Sequence, residues 1–334
     1  MENLIVSVNV VLPLFLMMAL GYFLKAVRLY DDHVLNKMNN LVFKVFLPIL
    51  LFVDLYSTDL ESVFNPTLVL FAGGSVLAAF FLSMAYVCLT EKSNKIRGAL
   101  IQGIFRSNFI IFGIPIARSI YGDNAASSAA ILISIVIPLF NILTVTEMEI
   151  FRGGKVKIRS ILKGIATNPL ILSCAAGFLF LFLRIPIPEI VYGTLTDLSR
   201  VATPLALIIL GGSIKFSKTM GYFKQIVTGL LGKLVVVPAI FLPIAAAIGF
   251  RGQDMAVLIS LYCSPVAVSS FVMAQQMDSD GDLAGQFVVL GAALSVVTIF
   301  LWVSRLAVAL LVSPLRRRPF PAGAFFMPFF GRPS

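Results

Sequence analysis

The sequence predicts a polytopic α-helical membrane protein, an all-α chain of ten transmembrane helices arranged as two inverted five-helix repeats. Three observations carry this reading. Of the 334 residues, 59% are hydrophobic and only 13% are charged, whereas a soluble domain carries about 25% charged residues. With a mean hydropathy of +0.97, no water-soluble fold could hide the apolar surface. Apolar stretches of about 20 residues, the length that crosses a hydrocarbon core about 30 Å thick, recur along nearly the whole chain between short polar loops. Finally, the two halves share a plan when position n is set against n+156: Pro13 with Pro169, Ala19 with Ala175, Gly21 with Gly177, Lys44 with Arg200, Pro48 with Pro204 and Leu51 with Leu207.

In order, the apolar segments run Leu4 to Val27, Val34 to Leu55, Leu68 to Leu89, Ile96 to Ile120, Ala125 to Thr146, Ile161 to Leu183, Val191 to Ile214, Ile226 to Phe250, Met255 to Met277 and Leu283 to Val312. The first is read as a retained membrane helix, because Met1-Glu2-Asn3 lacks the basic n-region of a signal peptide. The fourth and ninth are the least uniform, being rich in polar residues, Gly and Pro. Residues 1–152 form the first repeat and 153–312 the second, and the Pro- and Phe-rich run 313–334 is an irregular or interfacial tail without periodic pattern. Late in each half, Gly122-Asp123 before Ala125 matches Gly281-Asp282 before Ala284 at an offset of 159. Five helices per half is an odd number, so the second half enters the membrane from the opposite side. In transporters with that symmetry the site lies near the midplane, where helices of the two halves are discontinuous.

The net charge of +10 does not point to nucleic acid, since the basic residues sit in loops rather than in a stripe interleaved with aromatics. Alternate loops on one side hold Lys25, Arg28, Lys37, Lys92, Lys95, Arg97, Arg152, Lys155, Lys157, Arg159, Lys163, Lys215, Lys218 and Lys224, and the opposite loops hold Arg118, Arg184 and Arg251. By the positive-inside rule the first set is cytoplasmic, including the loop 151–164, and both termini lie outside. Arg316, Arg317 and Arg318 dissent, but a tail weighs less than short loops between helices. A plasma (inner) membrane is the expected location. Cys88, Cys174 and Cys263 all fall in apolar segments without ligand spacing, which favours neither disulfides nor a metal site. His33 stands alone beside Asp31 and Asp32 in a loop, so histidine-dependent chemistry is not expected. No cofactor is called for, and Ser264 and Ser269 lack a base that would make a nucleophile of either.

Two helix interiors carry the chemistry: RSNFIIFGIP from Arg106 to Pro115, and CSPVAVSSFVMAQQ from Cys263 to Gln276. A proline inside a helix frees carbonyls that, in lipid, need partners or a wet cavity. An arginine near a helix midpoint costs at least about 2.5 kcal/mol and persists where it faces a partner or water. Arg106 has the fork of donors that suits a carboxylate, although a structural ion pair or snorkelling toward the cytoplasm would also account for it. Ser107, Asn108, Ser264 and Val266 share these interruptions and join Arg106 as candidate substrate contacts. Lys44 and Arg200 occupy equivalent places midway along the second and seventh segments; they add positive potential to an anion path or form pairs such as Arg200 with Asp197. Lys233 and Arg305 carry the same ambiguity, with snorkelling favoured for Arg305 near its helix end.

These residues resemble the auxin efflux carrier family, which includes plant PIN-type carriers and bacterial organic-acid permeases, over about residues 5 to 312. The resemblance is carried by Asn108 to Pro115 followed by Tyr121-Gly122, and by Ser264-Pro265 with Phe271 and Ala274. Asn168-Pro169 opening the sixth segment, Leu210-Gly211 and Pro48 support it. It implies a scaffold of helices 1, 2, 6 and 7, a moving transport domain of helices 3–5 and 8–10, and broken helices 4 and 9 that cross near Pro115 and Pro265. It also implies substrate contacts at Asn108 and Asn168, an elevator-like cycle and a homodimer. Ser107 stands where the plant carriers have proline, which leaves open how sharply the fourth helix breaks; with Arg106 it favours a bacterial-type acid permease. The expected function is secondary transport of a small organic anion, a carboxylate such as malate, malonate or an auxin-like acid. An anion-selective channel is the alternative, with an intramembrane enzyme ranked below it. No acidic residue lies clearly mid-membrane, so potential-driven efflux, proton symport and sodium coupling all stay open.

Overall fold

A computed structural model describes residues 2–58, 65–152, 158–214 and 221–306. The tail 313–334 and Lys155, Lys157, Lys215 and Lys218 of the basic loops lie outside them, as does the side chain of Arg305. The described residues are helical, with no strand among them. In chain order the helices are α1 Glu2–Ala26, α2 Asp32–Tyr56, α3 Pro66–Thr90, α4 Asn94–Phe105, α5 109–122, α6 Asn124–Phe151, α7 Ile158–Ala166, α8 Pro169–Phe182, α9 Glu189–Ser213, α10 Phe223–Ile248, α11 Gly252–Cys263, α12 Ser269–Gln276 and α13 Gly281–Leu306. Taking α4 and α5 as one span, seven helices among the described residues are long and apolar enough to cross a membrane, and Val10–Ala26 and Pro169–Phe182 are shorter apolar helices.

Local chemistry sets many of the ends. Asp31 caps α2 by accepting from the Val34 amide at 2.8 Å, and Asn65 caps α3 by accepting from Thr67 and Leu68, with Pro66 in the first turn. Gly249 closes α10 at φ 110°, a conformation that favours glycine. The sixth apolar segment differs from the single helix expected. A short helix α7 ends at Ala166, and the chain restarts at Pro169 with Asn168 as its cap. The residue before a proline is pushed out of helical geometry, which explains the interruption.

Large apolar side chains face outward along the helices, among them Leu12, Leu16 and Leu20 of α1, Phe81 of α3 and Ile244 of α10. Such a girdle belongs against lipid. Helices α1 and α9 approach each other very closely. A β-carbon on Gly211 would stand 1.9 Å from the Met18 carbonyl oxygen, and one on Gly21 would stand 2.0 Å from that of Ile208. Backbone therefore meets backbone at this crossing, the small-residue packing that membrane helices use. Gly177 of α8 plays a similar part against α2, where a β-carbon would meet Leu55 at 2.9 Å.

Polar links gather the loops at two opposite ends. At one, the Tyr222 hydroxyl donates to Asp280 at 2.8 Å, the Ser279 hydroxyl donates to the Lys95 carbonyl at 2.9 Å, Arg152 pairs with Asp278 at 3.0 Å, and Gln225 donates to Glu91 at 3.0 Å. Burial raises the Glu91 carboxyl, but the bonds from Gln225 and the Ser93 and Lys92 amides, with Lys224 nearby, hold it below the usual carboxylate range. At the other end, Asn65 donates to Asp254 at 2.9 Å and Gln253 to Ser128 at 2.6 Å.

Candidate functional site

Two breaks meet inside the helix bundle. The first separates α4 from α5 at Arg106-Ser107-Asn108, where Arg106 takes extended angles (φ −80°, ψ 133°) after the α4 ladder ends with its own amide bonded to the Gln102 carbonyl. Ser and Asn compete locally with helical hydrogen bonds, which makes this a place where a helix opens without proline. The break is complete although Ser107 stands where the plant carriers have proline. The second break runs from Ser264 to Val268 between α11 and α12; Ser264 is extended at φ −62°, ψ 140°, as the residue before Pro265 must be. The Asn108 amide donates to the Pro265 carbonyl at 2.7 Å. That one bond supplies partners for two backbone groups that lipid could not satisfy. Pro115 sits in the first regular turn of α5, just after a wide π turn at Phe109–Gly113.

The crossing is testable directly. In a chain lacking Cys88, Cys174 and Cys263, cysteines at positions 108 and 266 are expected to be joined by a short bifunctional reagent. Consistent failure at these and neighbouring pairs, in folded protein, would remove the crossing.

A cavity lies beside the breaks. Arg106, Ser107, Asn108, Ala267, Val268 and Ser269 line one wall, with Ile137, Phe140 and Asn141 of α6; Leu47, Leu50 and Leu51 of α2, Leu170 of α8, and Ala202, Thr203 and Ala206 of α9 line the other. The cavity's volume is about 60 Å³. The Arg106 side chain is almost fully buried. It donates to Asn141 Oδ1 at 2.7 Å, to Ser269 Oγ at 2.8 Å and to Met273 Sδ at 2.8 Å. No carboxylate among the described residues pairs with it directly, and thioether sulfur is a weak acceptor, so the guanidinium retains capacity for a stronger one. Asn141 Nδ2 is buried with no partner, and the Asn108 amide makes no side-chain hydrogen bond among the described residues. Donors are therefore left over at an apolar-walled cavity. The amino ends of α5 and α12 open at the same crossing and carry partial positive charge.

The other expected site residues lie elsewhere. Ser264 bonds back to the Ser260 carbonyl at 2.5 Å, and Val266 is buried; neither lines the cavity. Asn168 caps α8 through Leu170 N at 2.9 Å, with its amide nitrogen 3.8 Å from Met277 Sδ, and the structure does not bring it to the cavity. Lys233, in a π turn of α10, is fully buried and donates to the Ser107 hydroxyl, which in turn donates to the Leu261 carbonyl at 2.7 Å. It braces the break from behind. Lys44 is exposed, and Arg200 is 74% exposed and paired with Asp197 at 3.2 Å, so neither reaches the cavity. Sequence reasoning misses Asn141, and it misses Glu147, which is fully buried in α6. The apolar pattern closes the fifth segment at Thr146 because the following acidic run reads as a loop, whereas α6 continues to Phe151.

A family described as "Membrane transport protein" matches residues 6–303. A protein named as an uncharacterized transporter from Methanothermobacter thermautotrophicus is 25% identical over 307 residues, covering 89% of this chain and 97% of the relative. One with a similar name from Methanocaldococcus jannaschii is 24% identical, covering 89% and 98%. A Rhizobium meliloti protein bearing the name "Putative malonate transporter" is 24% identical over 298 residues, covering 87% and 93%. The chain is thus an integral membrane protein belonging to the membrane transport proteins of the auxin efflux carrier family.

Proposed function

We propose that this protein is a secondary transporter for a small carboxylate, of malonate or malate size, bound between Arg106 and the crossing breaks. The observation that carries the reading is a buried guanidinium with spare donor capacity at a cavity of about 60 Å³. A cavity this small suits a short acid better than an aromatic, auxin-like one. The name of the Rhizobium meliloti relative points the same way.

The proposed mechanism is alternating access of an elevator type, on two inverted repeats and within ten spans. Its supports are geometric. One cavity wall comes from α2, α8 and α9, and the other from α6 and the two breaks. The α1 to α9 and α8 to α2 crossings use Gly21 and Gly177, which are repeat mates at the 156-residue offset. In this reading α1, α2, α8 and α9 are the scaffold, and α3 to α6 with α10 to α13 move. Exposed charges at the centres of α2 and α9, Lys44 and the Arg200–Asp197 pair, are poorly suited to lipid and favour cover by a second copy in a homodimer.

A thermal-shift screen of short mono- and dicarboxylates on purified protein tests the substrate class. Stabilisation by malonate or malate and none by indole-3-acetate is expected; the reverse order would overturn the size argument. Saturable uptake with counterflow in proteoliposomes separates a carrier from an anion channel. The end rich in Lys and Arg is proposed as cytoplasmic. A cysteine at position 155 should therefore resist an impermeant reagent in intact cells, and its labelling from outside would invert the topology.

A further inference from the structure

Between α3 and α10 the outer face of the bundle is grooved. The cleft encloses about 490 Å³ and is walled by the exposed side chains of Leu82 and Tyr86 on α3 and Leu231, Val236 and Ile240 on α10. Ile104 of α4 lies on its floor beside Ser83, whose hydroxyl donates back to the Phe80 carbonyl at 2.8 Å and so adds no free donor there. A β-carbon on Gly232 would stand 3.1 Å from Ile104, so α10 rests on α4 and leaves the gap toward α3 open. At the loop end the cleft runs into a polar hollow of about 90 Å³, lined by Thr90 and Glu91 after α3 and by Lys224 and Gln225 at the start of α10. Tyr86 and Thr228 line both, so the two are continuous. At 1.5 Å per residue the whole feature extends about 17 Å along α3, from Ala79 to Thr90, and about 26 Å along α10, from Lys224 to Phe241. One leaflet, half of a bilayer about 40–45 Å thick with its headgroups, falls between those lengths.

We propose that this feature binds one phospholipid of the phosphatidylethanolamine type, with an acyl chain between α3 and α10 and the headgroup over Lys224 and Glu91. A cleft that opens toward the membrane takes a hydrocarbon chain, and this one turns polar only where a lipid does. The headgroup follows from charge. Lys224 is exposed and suits a phosphate. Beside it, Glu91 is held in place by the Gln225 side chain at 3.0 Å and by the Lys92 and Ser93 amides at 2.8 and 3.2 Å. A carboxylate offers about four acceptor sites, so one remains after those three bonds. A primary ammonium can donate to it, whereas a quaternary ammonium has no hydrogen to give. An anionic headgroup would instead leave one lysine to answer two negative charges. Bound there, the lipid joins a helix from the first half of the chain to one from the second, whatever the carrier transports.

Photolabelling of the full chain tests the site. Protein stripped of lipid is reconstituted in phosphatidylcholine vesicles containing a trace of phosphatidylethanolamine with a photoreactive diazirine at mid-chain, and adducts are mapped by mass spectrometry. Adducts concentrated on residues 82–86 and 231–240 are expected. Adducts spread evenly over the outer helix faces would reduce the cleft to ordinary bilayer contact and overturn the proposal. Enriching the vesicles in unlabelled phosphatidylethanolamine should suppress the adducts more than the same fraction of phosphatidylglycerol, and equal suppression by the two would overturn the assigned headgroup. Lys224→Gln changes an exposed side chain and should weaken labelling about fivefold, the worth of one lysine at a membrane surface, with Lys224→Arg restoring it. Labelling of the cleft unchanged in Lys224→Gln would also count against the site.

Discussion

Replacement of Arg106 by leucine is expected to abolish carboxylate binding in protein that still folds. Removing one partner of a buried, hydrogen-bonded charge pair costs roughly 2–5 kcal/mol, a factor of about 30 to several thousand in affinity. Lysine at this position keeps the charge but cannot donate to two acceptors in one plane, so its loss should be smaller. Asn108→Ala should cost about 1–3 kcal/mol if the amide hydrogen-bonds the ligand. Arg106 also holds Asn141 and Ser269, so the leucine variant should melt at a lower temperature. Measuring melting temperature and malonate affinity on the same samples separates the two effects. A folded Arg106→Leu variant with unchanged affinity would make the arginine purely structural.

Gly211→Ala is expected to be among the most damaging single-methyl additions in the chain. Its new carbon would lie 1.9 Å from the Met18 carbonyl oxygen, and backbone on both sides leaves nothing flexible to yield. Overpacking of this kind costs about 1–3 kcal/mol, occasionally more. A methyl added at Gly193, on the same helix, would find nothing within 4 Å, and alanine there should be neutral or slightly stabilising because it favours the helix. Equal melting temperatures for the two variants would show that α1 and α9 are not held at the distance described.

The membrane class and the positions of the long helices are legible in the sequence because lipid enforces a simple rule: about 20 apolar residues per crossing. The Ser264-Pro265 break is legible for a covalent reason, the missing amide of proline. Which polar residues share a cavity is harder to read. Asn141 and Glu147 sit on a helix whose apolar stretch looks finished at Thr146, and only the neighbouring α4 and its break reveal that the helix continues among partners. Conversely, Lys44 and Arg200 match along the chain, yet one-dimensional spacing does not tell which way they face. Asn168 illustrates the same limit, since a capping asparagine and a ligand-binding asparagine look alike before Pro169.

The Asn108 to Pro265 bond is made by main-chain atoms alone. A junction knitted by backbone does not by itself specify every side chain that flanks it: Ser107 is held by Lys233 and the Leu261 carbonyl and Arg106 by Ser269, whereas the side chains at 108, 267 and 268 are free to vary without unmaking the crossing. Selectivity and architecture are thereby under separate control. A chain of this build can change the side chains at 108, 267 and 268 and present a differently shaped surface on an unchanged frame, which makes these three positions the natural place to redirect the transporter toward other cargo.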